Sequence, residues 1–338
     1  MTRHLVLQSL LALAPVCLFL GSLVYIDSYK LVRFHRLVEL ILAGGVAAVA
    51  SYFVNQQILT LAAIDHRTLT RVAAPAVEEA LKVIPLLFLF WTKRVGFVID
   101  AAICGFAVGA GFALVENLYY LSAVSGRGAA FWIVRGFGTA VMHGGTAAIA
   151  AMLMKVMFQR HDSTSSLFAL PGFLAAFAIH ALFNQFILSP LASAVAVMVI
   201  LPPLMILVFG LSERQLQTWL GSGFDIDAEL IRAISSGDFA SSRAGRYLQE
   251  LRDRFAGPVV ADMLCYLRLY SELSLRAKGM LMLRESGLPV RRDAETALKL
   301  AELQYLRQSI GPTGQLALAP LLHRTSHDVW QMQLLEER

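Results

Sequence analysis

Long apolar runs separated by short polar connections fill residues 1–211. A helix needs about 20 apolar residues to cross the hydrocarbon core of a bilayer. Seven runs qualify: Leu5–Ile26, Leu40–Ile64, Val72–Trp91, Ala101–Val124, Gly136–Phe158, Leu167–Leu188 and Leu191–Leu211. The clearest connection is His161-Asp162-Ser163-Thr164-Ser165-Ser166. From residue 212 the pattern changes to polar and apolar positions alternating at helical spacing. Amphipathic helices are expected over Ala228–Ile234, Tyr247–Phe255, Val259–Leu283 and Ala294–Gln308, punctuated by Gly237, Gly257-Pro258, Gly287-Leu288-Pro289 and Gly311-Pro312. The pattern predicts an all-α protein. Residues 1–211 would form a polytopic membrane bundle of about seven transmembrane helices, and residues 212–338 a C-terminal helical soluble domain.

Composition agrees with that division. Apolar residues make up 57% of the chain and charged residues 16%, against about 45–50% and 25% in soluble domains. Residues 1–211 carry 13 Lys/Arg and 8 Asp/Glu, while residues 212–338 carry 16 of each. The net positive charge therefore lies in the membrane half, where it reads as the positive-inside signal and not as a nucleic-acid surface. Seven basic residues (Lys30, Arg33, Arg36, Lys93, Arg94, Lys155 and Arg160) fall on one side, and five (Arg3, Arg67, Arg71, Arg127 and Arg135) on the other. That bias puts the N-terminus outside and the C-terminal domain in the cytoplasm. Cys17, Cys104 and Cys265 have neither zinc-knuckle nor disulfide-framework spacing. The first run exceeds a signal-peptide core and no A-x-A site ends it, so a retained transmembrane helix is expected.

Ionisable residues inside the spans carry the chemistry. A charged side chain in hydrocarbon costs about 2.5–3.5 kcal/mol on insertion scales, so it is retained where it pairs or works. The third span contains Glu78-Glu79-Ala80-Leu81-Lys82. Lys82 lies one helical turn from both acids and can partly neutralise them. Pro85 follows, and its missing N–H predicts a kink beside the acids. The fourth span contains Phe112-Ala113-Leu114-Val115-Glu116-Asn117, with Phe112 and Glu116 on one face, and a Gly105/Gly109 pair that permits close helix approach. The fifth contains His143. The sixth contains His180 and Asn184, one turn apart.

At about 1.5 Å per residue, Glu78, Glu116, His143 and His180 all fall roughly 9–12 Å below the outer ends of their spans. The chain reverses direction at every span, so this agreement assembles one proposed site in one leaflet. The bland alternatives are a packing ion network for Glu78, Glu79 and Lys82, and interhelical hydrogen bonding for His143, His180 and Asn184. Glu39 and Asp100 sit at span ends, where snorkelling explains them. Arg135 is expected at the interface, and Trp91, Trp132 and Tyr119-Tyr120 in the aromatic belts. A proton- or solute-coupled transporter is the rival function, but no repeat is present and the polar groups keep to one leaflet. A catalytically inactive scaffold is a third reading.

The order Glu-Glu-x-x-Lys, Phe-x-x-x-Glu-Asn, His, His-x-x-x-Asn in successive spans resembles the PrsW family of intramembrane proteases, in a superfamily with CAAX prenyl endopeptidases and bacteriocin-processing enzymes. The match covers residues 71–188. It implies a bacterial cytoplasmic-membrane hydrolase that cuts the extracytoplasmic part of a membrane-anchored protein, as in anti-sigma-factor cleavage. Its partners would be that protein substrate, the lipid bilayer and a cytoplasmic partner of the C-terminal domain, with no nucleic acid. The resemblance makes Glu78 the base that activates water, with Glu79 and Lys82 tuning it and Glu116 sharing in activation. His180 and Asn184 would stabilise the oxyanion, and His143 would be a second polariser or a ligand. Phe112 and Asn117 would support the site. Metal dependence stays open. The favoured reading needs no metal, while a zinc-type ion would draw on His143, His180 and Glu116. No HExxH is present.

Overall fold

The computed structural model describes residues 2–61, 64–124, 126–161, 165–290, 294–322 and 326–336. Among them all regular structure is helical. The long helices of the membrane half are α1 (Thr2–Ile26), α2 (Phe34–Leu61), α3 (Ala74–Trp91), α4 (Val98–Ala123), α5 (Val141–His161), α6 (Leu170–Phe183) and α7 (Pro190–Ser236). Then follow α8 (Arg243–Leu251), α9 (Gly257–Glu285), α10 (Ala294–Leu318) and α11 (Ser326–Glu336). The chain divides into two compact units, Met1–Glu213 and Arg214–Arg338.

Six helical stretches are long and apolar enough to cross a membrane: His4–Ile26, Phe34–Leu61, Val98–Ala123, Ala129–His161, Ser166–Phe183 and Pro190–Ser236. The remaining expected span is α3, which carries Glu78, Glu79 and Lys82 within its 18 residues. The sixth span ends at Phe183, five residues short of the expected Leu188. The centre of the polar connection expected at 161–166, residues 162–164, lies outside the described residues, as do residues 62–63 near the end of the expected second span.

Helix α4 is the axis of the membrane unit. It packs on α5, α2 and α1, and small residues set how closely. A Cβ on Gly105 would lie 2.3 Å from the Ala147 carbonyl oxygen, and one on Gly109 would lie 2.1 Å from that of His143. The pair expected to admit a neighbouring helix therefore admits α5 and fixes the height of His143. On the opposite side a Cβ on Gly111 would meet the Ile41 oxygen of α2 at 1.9 Å. Without a hydrophobic force between helices in lipid, such backbone contact supplies the packing attraction.

Two π-helical stretches, Leu69–Ala73 and Val134–Ala140, lead directly into α3 and α5. Such turns recur at functional sites. Two expectations are corrected in this unit. Asp100 does not snorkel: it is buried at the start of α4, and its Oδ2 accepts the Gly96 and Phe97 backbone N–H groups at 2.9 and 3.2 Å. Trp132 does not reach a lipid interface but is wholly buried, whereas Trp91 is 48% exposed.

The second unit has its own apolar core, in which Leu248, Met263, Leu267, Leu273, Leu300, Leu306 and Leu318 are buried. Helix α10 breaks at Gly311, whose φ of 64° is left-handed, at the punctuation expected there. The segment expected over Ala228–Ile234 is the end of α7, and α11 had no counterpart in the sequence reading. Beneath the Trp219 ring, Lys278 Nζ donates to Asp227 Oδ2 at 2.6 Å.

The Gly109 contact is testable. Gly109→Ala is expected to push α5 away, lowering stability by about 1–3 kcal/mol, the usual overpacking cost, and reducing activity. Gly21→Ala, with nothing within 4 Å, is expected to leave the unfolding midpoint in detergent unchanged or raised. Equal behaviour of the two variants would contradict the close-packing account.

Candidate active site

The acids of α3 face two other helices. Glu79 is 1% exposed and Lys82 is fully buried, so neither charge can be solvated and each must be paired. Lys82 Nζ donates to Glu79 Oε1 at 2.7 Å and to His143 Nδ1 on α5 at 2.8 Å. His180 Nδ1, on α6, lies 2.7 Å from the same Glu79 oxygen. The Thr146 hydroxyl on α5 donates to it at 3.3 Å. Three helices thus meet at one carboxylate oxygen.

Hydrogen-bond chemistry then fixes the tautomers. An ammonium only donates, so His143 Nδ1 accepts and its proton sits on Nε2. That Nε2 donates to Glu116 Oε2 on α4 at 3.0 Å. A carboxylate only accepts, so His180 donates from Nδ1 to Glu79, and its Nε2 faces Glu78 Oε2 at 3.8 Å. The Glu78 side chain is 17% exposed and that of Glu116 27%. These two acids keep some exposed surface, while Glu79 is sealed.

The aromatic rings close the cluster. Lys82 Nζ lies 4.5 Å from the Phe112 ring centroid. The His143 and Phe112 centroids are 4.9 Å apart, and the two imidazoles meet edge-on at 4.8 Å. Phe112 therefore roofs the lysine.

Two residues missed by the sequence reading belong here. Arg135 is buried at 8% exposure, contrary to the expected interfacial position. Its Nη2 pairs with Glu116 Oε1 at 3.2 Å, its Nε donates to Asn117 Oδ1 at 2.8 Å, and its guanidinium stacks 3.7 Å from the Tyr120 centroid. Asn117 in turn donates to the Ala12 carbonyl of α1 at 2.7 Å. Thr146 is the other. A basic residue eight positions before His143 in an apolar run was the available signal for Arg135.

Asn184 is not brought into this network. Its Nδ2 donates to the Thr70 carbonyl at 3.0 Å, in the π-helical turn before α3, and Gln185 Nε2 reaches the Arg71 carbonyl at 3.3 Å. Asn184 ties the end of α6 to the entry of α3, one turn from His180. Of the expected residues, Glu78, Glu79, Glu116, His143, His180, Lys82 and Phe112 come together. Asn117 joins through Arg135.

Glu78, His143 and His180 each offer one ligand atom, and these atoms lie within 4.8 Å of one another. Two imidazoles and a carboxylate are a donor set that zinc takes. Glu79 behind His180 is the outer carboxylate typical of such ligands. The residue types present suit a divalent ion, with Glu78 in the position where Glu116 was expected, and His143 would have to release Lys82 or Glu116 to join it. Glu116 is held by Arg135 and His143.

A family model described as PrsW family intramembrane metalloprotease matches residues 32–209. The chain belongs to the PrsW family. Every member of the cluster lies inside the matched segment. The protein is thus a membrane-embedded hydrolase of the intramembrane-protease class, which implies a membrane-protein substrate. No curated protein and no solved structure matches the chain.

Arg135 gives a prediction for this PrsW-family site. Arg135→Leu leaves Glu116 with His143 alone and is expected to lower the cleavage rate at least tenfold, in line with one lost charge-assisted contact. Arg135→Lys keeps the charge without the planar fork and is expected to recover part of the rate. Wild-type rates in both variants would return Arg135 to a passive role.

Proposed function

We propose that this protein cleaves a membrane-anchored protein near its extracytoplasmic face, with Glu78 activating water and His180 holding the oxyanion. The observation that carries the reading is the approach of Glu78 Oε2 to His180 Nε2 at 3.8 Å, backed by the buried Glu79–Lys82 pair at 2.7 Å.

The steps balance as follows. Glu78 takes a proton from water as the oxygen attacks the scissile carbonyl carbon. The developing oxyanion accepts a hydrogen bond from His180 Nε2 in its protonated form, which the Glu79 carboxylate supports through Nδ1. Collapse of the tetrahedral intermediate breaks the C–N bond, and Glu78 returns its proton to the leaving amine. Glu78, Glu79 and Glu116 outnumber Lys82 and Arg135 by one charge. The steps start with Glu78 ionised and His180 carrying a proton on both nitrogens, which balances that excess. Glu116 and Arg135 orient His143, and through Lys82 this network holds Glu79. Asn184 acts in this reading by fixing α6 against the entry of α3; as an oxyanion donor it would first have to release Thr70. We place the N-terminus outside and residues 212–338 in the cytoplasm, as a helical domain that meets a partner there. Anti-sigma-factor-type regulated proteolysis fits such an arrangement.

A second reading is favoured by the Glu78, His143 and His180 trio. A divalent ion held there would polarise the carbonyl and acidify a water. His143 could join that set only by giving up Lys82 or Glu116, and that cost puts the metal-independent reading first.

Comparing membrane proteomes of cells carrying wild-type protein or Glu78→Ala is expected to reveal cleavage products that disappear in the variant. Full retention of every product in both Glu78→Ala and Glu79→Ala would remove the base assignment. With such a substrate and purified protein, exhaustive chelation is expected to leave the rate within about twofold of untreated enzyme. Loss on chelation that zinc restores would move the chemistry to the trio-bound ion.

A further inference from the structure

Helices α6 and α7 both pack on α5, yet they leave a gap between themselves. A Cβ on Gly172 of α6 would lie 2.5 Å from the Ala150 carbonyl oxygen, and one on Gly145 of α5 would lie 2.8 Å from the Leu201 side chain of α7. These close contacts seat each helix on α5 separately. Between them lies a cavity of 460 Å³, within the range of about 300–1,000 Å³ typical of ligand clefts. Its lining is almost wholly apolar and includes Met142, Ile179, Leu182, Ala196 and Ile200.

Thr146 also lines this cavity, and its hydroxyl bonds Glu79 Oε1 at 3.3 Å. Met142 precedes His143 in the chain. The cavity therefore borders the catalytic cluster and not an arbitrary stretch of helix surface. Its rim side chains Leu182 and Ile200 are 61% and 65% exposed, and on a membrane-spanning helix they meet lipid tails. An apolar chain could enter sideways from the bilayer without desolvating polar groups.

We propose that the α6/α7 cleft binds the apolar side chains of the substrate's membrane-embedded segment beside the scissile bond, and so sets cleavage specificity. The proposal rests on the protease reading above and adds the substrate class. A substrate would carry a large apolar residue at one fixed position from the cut. Ala196 and Ile200 are the specificity-determining residues on α7. A lipid acyl chain is the competing occupant, and it would leave no mark on cleavage preference.

The test labels new protein N-termini in membranes of cells expressing wild-type protein, Glu78→Ala, Ala196→Trp or Ile200→Ala, and reads the residues flanking each Glu78-dependent cut. Wild type is expected to show one position enriched in Leu, Ile, Met or Phe. Ala196→Trp fills the cleft and is expected to reduce cuts at those residues at least tenfold while sparing cuts beside Ala or Gly. One methylene in an apolar pocket is worth about 10–200-fold. Ile200→Ala enlarges the cleft, is expected to extend cleavage to Trp, and keeps the test decisive if Ala196→Trp fails to accumulate. Glu78-dependent cuts with unchanged preference in both variants, or a uniform loss without a change in preference, overturn the cleft assignment and leave the protease reading standing. The absence of any Glu78-dependent cut overturns both.

Discussion

One carboxylate oxygen organises the membrane unit. Glu79 Oε1 receives Lys82 at 2.7 Å, His180 at 2.7 Å and Thr146 at 3.3 Å, from α3, α6 and α5. A charge buried in a membrane bundle costs several kcal/mol unless it is paired and hydrogen-bonded. That cost makes the junction stringent: moving any of the three helices leaves an uncompensated charge, and removing one member of a buried pair costs about 3–5 kcal/mol. The same junction presents His180 Nε2 to Glu78. Structural need and the proposed catalytic geometry thus share one contact, with Glu79 sealed and Glu78 partly exposed.

Around that junction a second ring of contacts links the helices. Arg135 holds Glu116, Glu116 holds His143, and Asn117 anchors the arginine to α1 through the Ala12 carbonyl. Glycines on α4 set the distance to α5 so that His143 meets Lys82. Asn184 and Gln185 do the corresponding work for α6, capping carbonyls of the π-helical turn before α3. Each link satisfies a polar group that lipid would leave unsatisfied.

Much of this was legible in the sequence because the membrane imposes a strong pattern. Apolar runs of the required length located the spans, and charged residues within them stood out by their cost. The motif order gathered Glu78, Glu79, Glu116, His143 and His180. What failed was the reading of residues at the ends of spans and helices. Arg135 lies within the π-helical stretch Val134–Ala140. It read as interfacial because it lies just before the expected span Gly136–Phe158, whereas the apolar helical stretch begins at Ala129 and buries it. Asn184 fails for a related reason: it follows the last residue of α6, and a helical spacing projected beyond the helix end puts its amide beside His180. Trp132 and Asp100 were read by residue type and position near a span end, which carry no information on what packs over them.

The central claim is that the Glu79 junction holds the catalytic geometry, and Glu79→Gln tests it most directly. The amide keeps the size and shape of the side chain and removes its charge. On a substrate identified by its Glu78 dependence, purified Glu79→Gln protein of unchanged helicity and elution volume is predicted to cleave at least a hundredfold more slowly than wild type, matching the loss when a preorganised charged contact is removed. A Glu79→Gln protein that cleaves at the wild-type rate would contradict the account.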